Sequence, residues 1–343
     1  MREIPFCFGK LISIFALGLA LLFPVGAAGR AGTPPVPAGW RSGIGLSWLA
    51  DPYAAADEAA GEAKAGLGGG EAKFVFAGAA NPQVVPELIE GLKKHFPAEI
   101  IYGCQVSSPL VAESNFPDEK SIDIQAGVQV WALGGEAVEV GIFTVSTELD
   151  VDNPYEEAGI ELGREVRPFI EGLKTPGRLI FTFGDQYNGS NKDFVNGLNQ
   201  GLGKIYPLVG GAAGNQTALE IIRGEIQDSM DVAVVIGGPF RLGQTLSGGT
   251  HTPETADMVM AEAVAQGGGA APFFAMLFNC RRRRQGMIEH RQLAEELDHI
   301  RRRLPGIEFF GFYGPGEVGS DRPGEPARGV GFTVTTAVFF PAG

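Results

Sequence analysis

Four short segments of the chain hold residue types that could contact a small molecule. Each follows an apolar run and is rich in glycine, cysteine or asparagine, and they cover residues 103–104, 210–214, 279–280 and 314–317. Glycine lets the backbone approach a ligand and direct N–H groups at an anion. If the apolar runs are strands of an α/β sheet, these segments follow the carboxyl ends of strands, where such sheets bind ligands. The sequence leaves open whether the glycines bind a ligand or only form tight turns.

Cys104 and Cys280 are the candidate nucleophiles beyond the first 28 residues. A reactive cysteine needs a neighbouring base, and three of the four histidines, His95, His290 and His299, fall on helical stretches away from the predicted strand ends. The motifs G-x-S-x-G and H-E-x-x-H do not occur in the sequence. We therefore expect no catalytic residues and no metal site, and a binding protein rather than an enzyme. Whether the two cysteines pair in a disulfide stays open.

We predict no resident cofactor, with haem as the alternative. His251 lies in a loop and is the candidate axial ligand for a haem. Residues 314–319 match G-x-G-x-x-G, but the proline-rich segment that follows cannot open the helix that a dinucleotide site requires. The arginines at 281–284 have two possible roles. They form a solvated basic surface, or one of them binds a ligand carboxylate through its guanidinium group.

The elements that would position these segments recur along the chain. Apolar runs at 74–78, 179–183 and 273–280 each precede an amphipathic stretch and a second apolar run that ends in small residues. Strand–helix–strand units favour parallel pairs, and the alternating segments after them favour antiparallel hairpins. We therefore predict an α/β fold of mixed sheets with outer helices, built from repeated strand–helix–strand–hairpin units.

The first 28 residues have the pattern of a secretory signal peptide. A short basic stretch precedes an uncharged apolar run at 11–23, and small residues follow. The run is shorter than the ~20 residues of a membrane-spanning helix, although a retained anchor stays an alternative. We expect cleavage near Ala27 and Ala28, and export to the periplasm or the cell exterior.

The remaining chain divides into a linker and two regions. We predict a linker at 29–43, an N-terminal region at 44–237 and a C-terminal region at 238–343, arranged as two lobes that share an interface. The formal net charge is −13 at pH 7. Because phosphate binding needs a basic face, this charge argues against nucleic acid as a partner.

Two segments of the C-terminal third resemble the FIST domain family. The sequence A-M-L-F-N-C-R-R-R at 275–283 resembles the family's F-x-C-x-x-R element, and F-G-F-Y-G-P-G-E-V-G at 310–319 resembles its G-F-x-x-x-G-E-I-G element. The resemblance implies a sensory domain that binds a small ligand, with amino acids as suggested ligands. Some members are implicated in haem-dependent sensing of nitric oxide. Carried onto this sequence, it implies Cys280, Arg283, Gly316 and Glu317 as site residues.

The further candidate ligand-binding residues are Asn279, Gly210, Gly211, Gly103 and Cys104. If Arg283 and Glu317 converge, they either present opposite charges to a zwitterion such as an amino acid or pair with each other. We expect an exported sensory protein that binds an amino acid or a similar small carboxylate. It would act through a separate partner, with a membrane signalling protein as the candidate. A Cys-dependent enzyme and a haem-based gas sensor are the alternatives.

Removal of the signal peptide is directly measurable. If residues 1–28 are a cleaved signal, mass spectrometry of the mature protein should find its N-terminus between about residues 28 and 31, because small residues at these positions suit the peptidase. A soluble mature protein that still begins at Met1 would contradict this prediction.

Overall fold

Three mixed β-sheets form the framework of the protein. The computed structural model describes residues 36–80, 84–110, 127–185, 190–214, 219–248 and 252–343, so the predicted signal peptide lies outside the described residues. The strands are, in chain order, β1 (Arg41–Ser47), β2 (Ala72–Ala80), β3 (Ile101–Val106), β4 (Ser108–Pro109), β5 (Val128–Gly134), β6 (Glu139–Ser146), β7 (Gly177–Gly184), β8 (Leu208–Ala212), β9 (Leu219–Ile222), β10 (Glu225–Asp228), β11 (Met230–Gly238), β12 (Phe240–Gly248), β13 (Phe274–Cys280), β14 (Phe309–Gly314), β15 (Glu317–Gly319), β16 (Arg328–Val330) and β17 (Thr333–Pro341).

Each sheet contains one parallel strand pair, and its other neighbouring strands run antiparallel. The first sheet has the order β1-β5-β2-β3-β9-β10, the second β16-β15-β8-β7-β11-β6, and the third β12-β17-β13-β14-β4. The parallel pairs are β2–β3, β7–β8 and β13–β14. The predicted α/β fold of mixed sheets is therefore confirmed. The boundary predicted at 237–238 falls within the last two residues of β11, whose sheet differs from that of the following strand, β12.

Helices connect the two strands of every parallel pair. The described helices are α1 (Pro52–Gly66), α2 (Pro86–Lys93), α3 (Pro154–Gly172), α4 (Ser190–Leu202), α5 (Glu254–Ala265), α6 (Arg281–Glu289) and α7 (Leu293–Arg303). Local sequence fixes where they start: Asp51 accepts a hydrogen bond from the Ala54 N–H at 2.8 Å and Pro52 follows it, as is favoured at a helix N-terminus. None of the described helices combines the length and apolar character needed to cross a membrane.

The inner faces of the three sheets share one aromatic core. Phe76 of the first sheet lies 5.6 Å from Phe181 of the second and 5.0 Å from Phe310 of the third, measured between ring centroids. The outer faces carry separate apolar clusters, which contain the helices: α1 and α2 on the first sheet, α3 and α4 on the second, and α5 to α7 on the third. The helices therefore lie outside and the sheets meet inside.

Glycines allow the two strands of each parallel pair to approach. A Cβ atom at Gly103, Gly210 or Gly311 would overlap the carbonyl oxygen of the register partner on the neighbouring strand. The three glycines hold equivalent places, each on the second strand of its parallel pair. Packing of the strands is therefore sufficient to require glycine at Gly103 and Gly210, two of the candidate ligand-binding residues.

Substitution at these glycines should destabilise the fold. Gly311→Ala is expected to lower the free energy of unfolding by ~3 kcal/mol, because the added methyl group must push two strands apart. Gly172→Ala is the matched control, since the space around Gly172 at the end of α3 is open, and it should change stability by less than ~1 kcal/mol. Urea denaturation checks both variants, and equal stabilities would contradict the packing role.

Candidate functional site

The carboxyl ends of the parallel strands lie together at one end of the three sheets. Backbone hydrogen bonds link them in a ring: Gly214 N–H to Gln105 O at 2.7 Å, Ala212 N–H to Gly316 O at 2.8 Å, and Ser107 N–H to Tyr313 O at 2.9 Å. These bonds connect β3 with β8, β8 with the start of β15, and β14 with β3. The segments singled out in the sequence are therefore neighbours in space.

Cys280 ends β13 and directly precedes helix α6. Phe274, Met276 and Phe278 of the same strand belong to the central aromatic core, so the alternation of the strand directs Cys280 inward as well. Burial raises the pKa of the Cys280 thiol, and the charge of Glu317 raises it further. The backbone N–H groups of residues 282, 283 and 332 lower this pKa. The sulfur therefore lies where three N–H donors and one carboxyl group meet.

Glu317 is fully buried and only half satisfied. Its Oε2 accepts the Thr333 N–H at 3.0 Å and the Thr333 hydroxyl at 2.7 Å, whereas no N–H or O–H group of the described residues reaches Oε1. Burial raises the pKa of Glu317 to about 8, while Thr333, the charge of Arg283 and a weak hydrogen bond from the Cys280 thiol act in the opposite direction. Near neutral pH this carboxyl group therefore holds its proton more often than not.

Arg283 is fully buried on the other side of β13, between the sheet and its helices. Its guanidinium donates to Asn279 Oδ1 at 2.7 Å, to Glu296 Oε1 at 3.1 Å and to the Thr252 carbonyl at 2.8 Å. Glu296 Oε2 in turn accepts from the Asn279 amide at 3.0 Å and from the Tyr313 hydroxyl at 2.7 Å. The guanidinium pairs with Glu296 within a network of protein groups, so its contact with a ligand stays a prediction. Its positive charge lowers the pKa of Glu317.

A second thiol lies beside a second buried carboxyl group. Cys104 on β3 is the register partner of Glu220 on β9, and both side chains are fully buried. Burial, followed by the charge of Glu220, raises the pKa of Cys104. Burial and the charges of Asp231 and Asp185 raise the pKa of Glu220 to about 9. Its Oε1, like that of Glu317, has no hydrogen-bond partner among the described residues.

The remaining sequence candidates occupy packing positions. A Cβ at Gly211 would contact the Phe312 ring, and one at Gly316 would contact the Asn191 side chain. Cys104 and Cys280 are both free thiols.

The candidate haem ligand His251 lies outside the described residues. Of the other histidines, His95 and His299 lie near acidic side chains, and His290 is exposed.

A surface pocket of about 390 Å³ lies along α6, the helix that directly follows Cys280. Its lining comprises Arg282, Gln285, Gly286, Glu289, His290 and Phe332. Phe332 has a φ of +62°, which is strained for an aromatic residue, and the next residue, Thr333, binds Glu317. Adjacent residues of one segment therefore line the pocket and bind the buried carboxyl group.

Glu220, Glu296 and Thr333 were not among the sequence candidates. One signal was available for Glu220, because a single carboxylate interrupts the apolar run Leu219-Glu220-Ile221-Ile222 and charged residues are rarely buried without a partner. Glu296 and Thr333 carry no such signal: one lies among the charged residues of a helix, and the other begins a β-rich segment. Their roles depend on long-range contacts.

Comparisons with known proteins give one family and one group of similar structures. The model of the FIST N domain family matches residues 72–263. No curated protein matches the chain in sequence. A crystal structure of cyanuric acid hydrolase from A. caulinodans is similar at 9% identity and a TM-score of 0.45, over 87% of this chain and 99% of that chain. Another cyanuric acid hydrolase structure is similar at 8% identity and a TM-score of 0.45, over 89% of this chain and 100% of the other.

The expectation that the chain is not an enzyme is contradicted, because both of these similar structures are of hydrolases. The expectation considered only histidine as a base, whereas the fold places a carboxyl group beside each of two thiols. At this identity and TM-score, neither the substrate nor the active-site residues of the hydrolases are transferred to this chain.

The buried Glu317 should make stability depend on pH. Its pKa is about 8 in the folded state and 4.5 in its ordinary environment, so the folded state binds the extra proton between these values. Its contribution to stability is therefore complete below pH 4.5 and is lost as the pH rises towards 8. Glu317→Gln keeps the shape and cannot ionise, so its free energy of unfolding relative to wild type should increase by about 4 kcal/mol from pH 5 to pH 8.

Urea denaturation at several pH values measures this difference. Glu289→Gln, at an exposed position on α6, is the matched control and should follow the wild-type pH dependence. Parallel curves for Glu317→Gln and wild type would show that Glu317 is ionised in the folded protein and would sink the assignment.

Proposed function

The chain belongs to the FIST N domain family, and from that premise we propose that it is a sensory protein that binds an amino acid or a similar small carboxylate. The family is regarded as a sensory, ligand-binding one, and its model matches residues 72–263. The proposed site lies at the carboxyl ends of the strands, around Cys280 and Glu317. Cys280 is the last residue of β13, and ligands of α/β proteins generally bind outside the carboxyl ends of strands.

The observation that carries this proposal is the unsatisfied Oε1 of Glu317. A buried polar atom without a partner costs about 1–3 kcal/mol, and the fold places this one beside a strained loop and a surface pocket. A ligand that donates an N–H group to Oε1 would recover that energy. An ammonium group does so most effectively, because it also stabilises the ionised carboxylate.

The opposite charge of the ligand has a place beside it. The N–H groups of residues 282 and 283 belong to the first turn of α6 and act on the Cys280 sulfur. The N-terminus of a helix favours an anion because its first N–H groups have no intrahelical partner. A ligand carboxylate near Cys280 would use these groups. In this arrangement Arg283 contributes its backbone N–H, while its guanidinium stays with Glu296.

We also propose that the protein is exported and acts through a separate partner, with a membrane signalling protein as the candidate. The charge and hydropathy pattern of residues 1–28 supports export. A partner is needed because a sensor must transmit its bound state, and the matched family supplies the ligand-binding part.

A second candidate function is a Cys-dependent reaction at Cys280. It is favoured by the neighbouring Glu317, which in its ionised form could receive the thiol proton. Alkylation by iodoacetamide separates the two functions. A nucleophilic thiolate reacts quickly near neutral pH, whereas the raised pKa of Cys280 predicts slow alkylation in the binding protein.

The haem alternative depends on His251. If the chain binds haem through this residue, added hemin should give a Soret band that His251→Ala abolishes. A Soret band of equal strength in that variant, or none in wild type, would remove the alternative.

A thermal-shift screen of the standard amino acids tests the proposed function. A ligand at 100 times its dissociation constant should add ~2.7 kcal/mol of stability. Glu317→Gln should weaken binding by ~2 kcal/mol or more, since the ligand ammonium loses its charged partner. Wild-type affinity should also rise from pH 6 to pH 8 as Glu317 loses its proton, and the variant should lack this rise.

Two controls make the result specific. Glu161→Gln changes an exposed carboxylate on α3, away from the proposed site, and should leave affinity unchanged. The N-acetylated amino acid should bind poorly because it lacks the ammonium group. The proposal fails if no amino acid shifts the transition, or if Glu317→Gln binds as tightly as wild type at pH 8.

A further inference from the structure

A second group of buried acidic side chains lies where the first sheet meets the second. Glu220 comes from β9 of the first sheet, whereas Asp231 lies on β11 of the second and Asp185 directly follows β7. Glu220 and Asp231 are fully buried. The largest charge effects on Glu220 come from Asp231 and Asp185, both negative. The fold therefore concentrates negative charge away from water.

The hydrogen bonds of this group leave acceptor capacity on Glu220. Asp185 Oδ2 accepts from the Thr147 hydroxyl at 3.1 Å and the Tyr155 hydroxyl at 3.2 Å. Glu220 Oε2 accepts from the Met230 N–H at 3.4 Å. Glu220 Oε1 has no partner among the described residues, although the side chain is completely buried. A buried carboxylate oxygen in a region of negative charge is stabilised best by a hydrogen-bond donor that also carries a positive charge.

We propose that Glu220, Asp231 and Asp185 form a binding site for the primary ammonium group of a small organic amine. An ammonium group carries three N–H donors and one positive charge. A donor is what Glu220 Oε1 lacks, and the positive charge would offset the negative charges of Asp231 and Asp185. Glu220 reaches this site from a different sheet than the two aspartates, so the site is a property of the assembled fold. It does not depend on Glu317 or on the proposed amino-acid site.

Two other occupants fit the described residues less well. A metal ion needs several ligands at short and regular distances, and no three acidic, histidine or cysteine side chains of the described segments are placed to hold one. A proton on Glu220 alone would relieve its charge. It would not recruit the neighbouring aspartates, and the experiment separates it from an amine because the proton needs no added ligand.

Isothermal titration calorimetry and thermal shift with methylammonium chloride test the proposal. Methylammonium should bind and stabilise the protein, whereas tetramethylammonium, with the same charge and no N–H donor, should do neither at equal ionic strength. Glu220→Gln should weaken methylammonium binding at least tenfold. Asp185→Asn, at a less buried position, should also weaken methylammonium binding. This variant replaces Glu220→Gln in the test if Glu220→Gln does not fold.

The matched control is Glu161→Gln, which changes an exposed carboxylate on α3 outside both proposed sites and should retain methylammonium binding. Loss of methylammonium binding in Glu317→Gln with retention in Glu220→Gln would place the amine at the amino-acid site and overturn the proposal. Equal effects of methylammonium and tetramethylammonium, or no binding of either, would also overturn it, leaving a proton as the occupant of Glu220. If the wild-type protein binds methylammonium but no amino acid, the result would count against the proposed function alone.

Discussion

The packing of three sheet faces into a single aromatic core is the interaction on which the rest of the structure depends. Phe76, Phe181 and Phe310 come from three different sheets, and their rings lie within about the distance at which aromatic pairs attract one another. Because the inner faces are used in this way, the helices can cover only the outer faces. The same packing brings the carboxyl ends of β3, β8 and β14 close enough for their backbones to form hydrogen bonds.

Strand alternation then decides what each residue near these ends can do. Cys280 follows Phe278 at the two-residue spacing of a strand and is directed towards the inside, whereas Asn279 is directed towards the helices. Asn279 consequently joins Arg283, Glu296 and Tyr313 in a network that satisfies the buried charges. Removing one partner of such a pair typically costs 3–5 kcal/mol. On the inward side, Thr333 binds one carboxylate oxygen of Glu317, and the other has no hydrogen-bond partner among the described residues.

Local sequence patterns were sufficient to predict the fold class and the parallel strand pairs. Apolar runs, helical periodicity and glycine positions are short-range features, and the predicted strands around Phe76, Phe181 and Phe278 are present. The partners across the sheets could not be predicted. Glu220 acquires its neighbours from β3 and β11, and Thr333 meets Glu317 only because β17 passes beside β15. Contacts of this kind depend on strand order and register, which a single sequence does not specify.

The same limit explains the interpretation of Arg283. Its spacing from Cys280 suggested a shared site, but a helix begins between the two residues and turns the side chain to the outer face. Its natural partner, Glu296, lies on a different helix and has no distinguishing neighbours in sequence. The guanidinium of Arg283 joins a structural network with Asn279 and Glu296, and its contact with a ligand stays a prediction.

The two thiol–carboxyl pairs show how one arrangement of side chains acquires two chemical preferences. Cys280 and Glu317 lie beside the first N–H groups of α6, so positive and negative partners are adjacent there. Cys104 and Glu220 instead face Asp231 and Asp185, which add only negative charge. A buried carboxyl group is unfavourable in both places, because desolvation disfavours its ionised form. In the two proposals, the surroundings decide which ligand would relieve it: a zwitterion where helix N–H groups can hold a carboxylate, and a simple cation where they cannot.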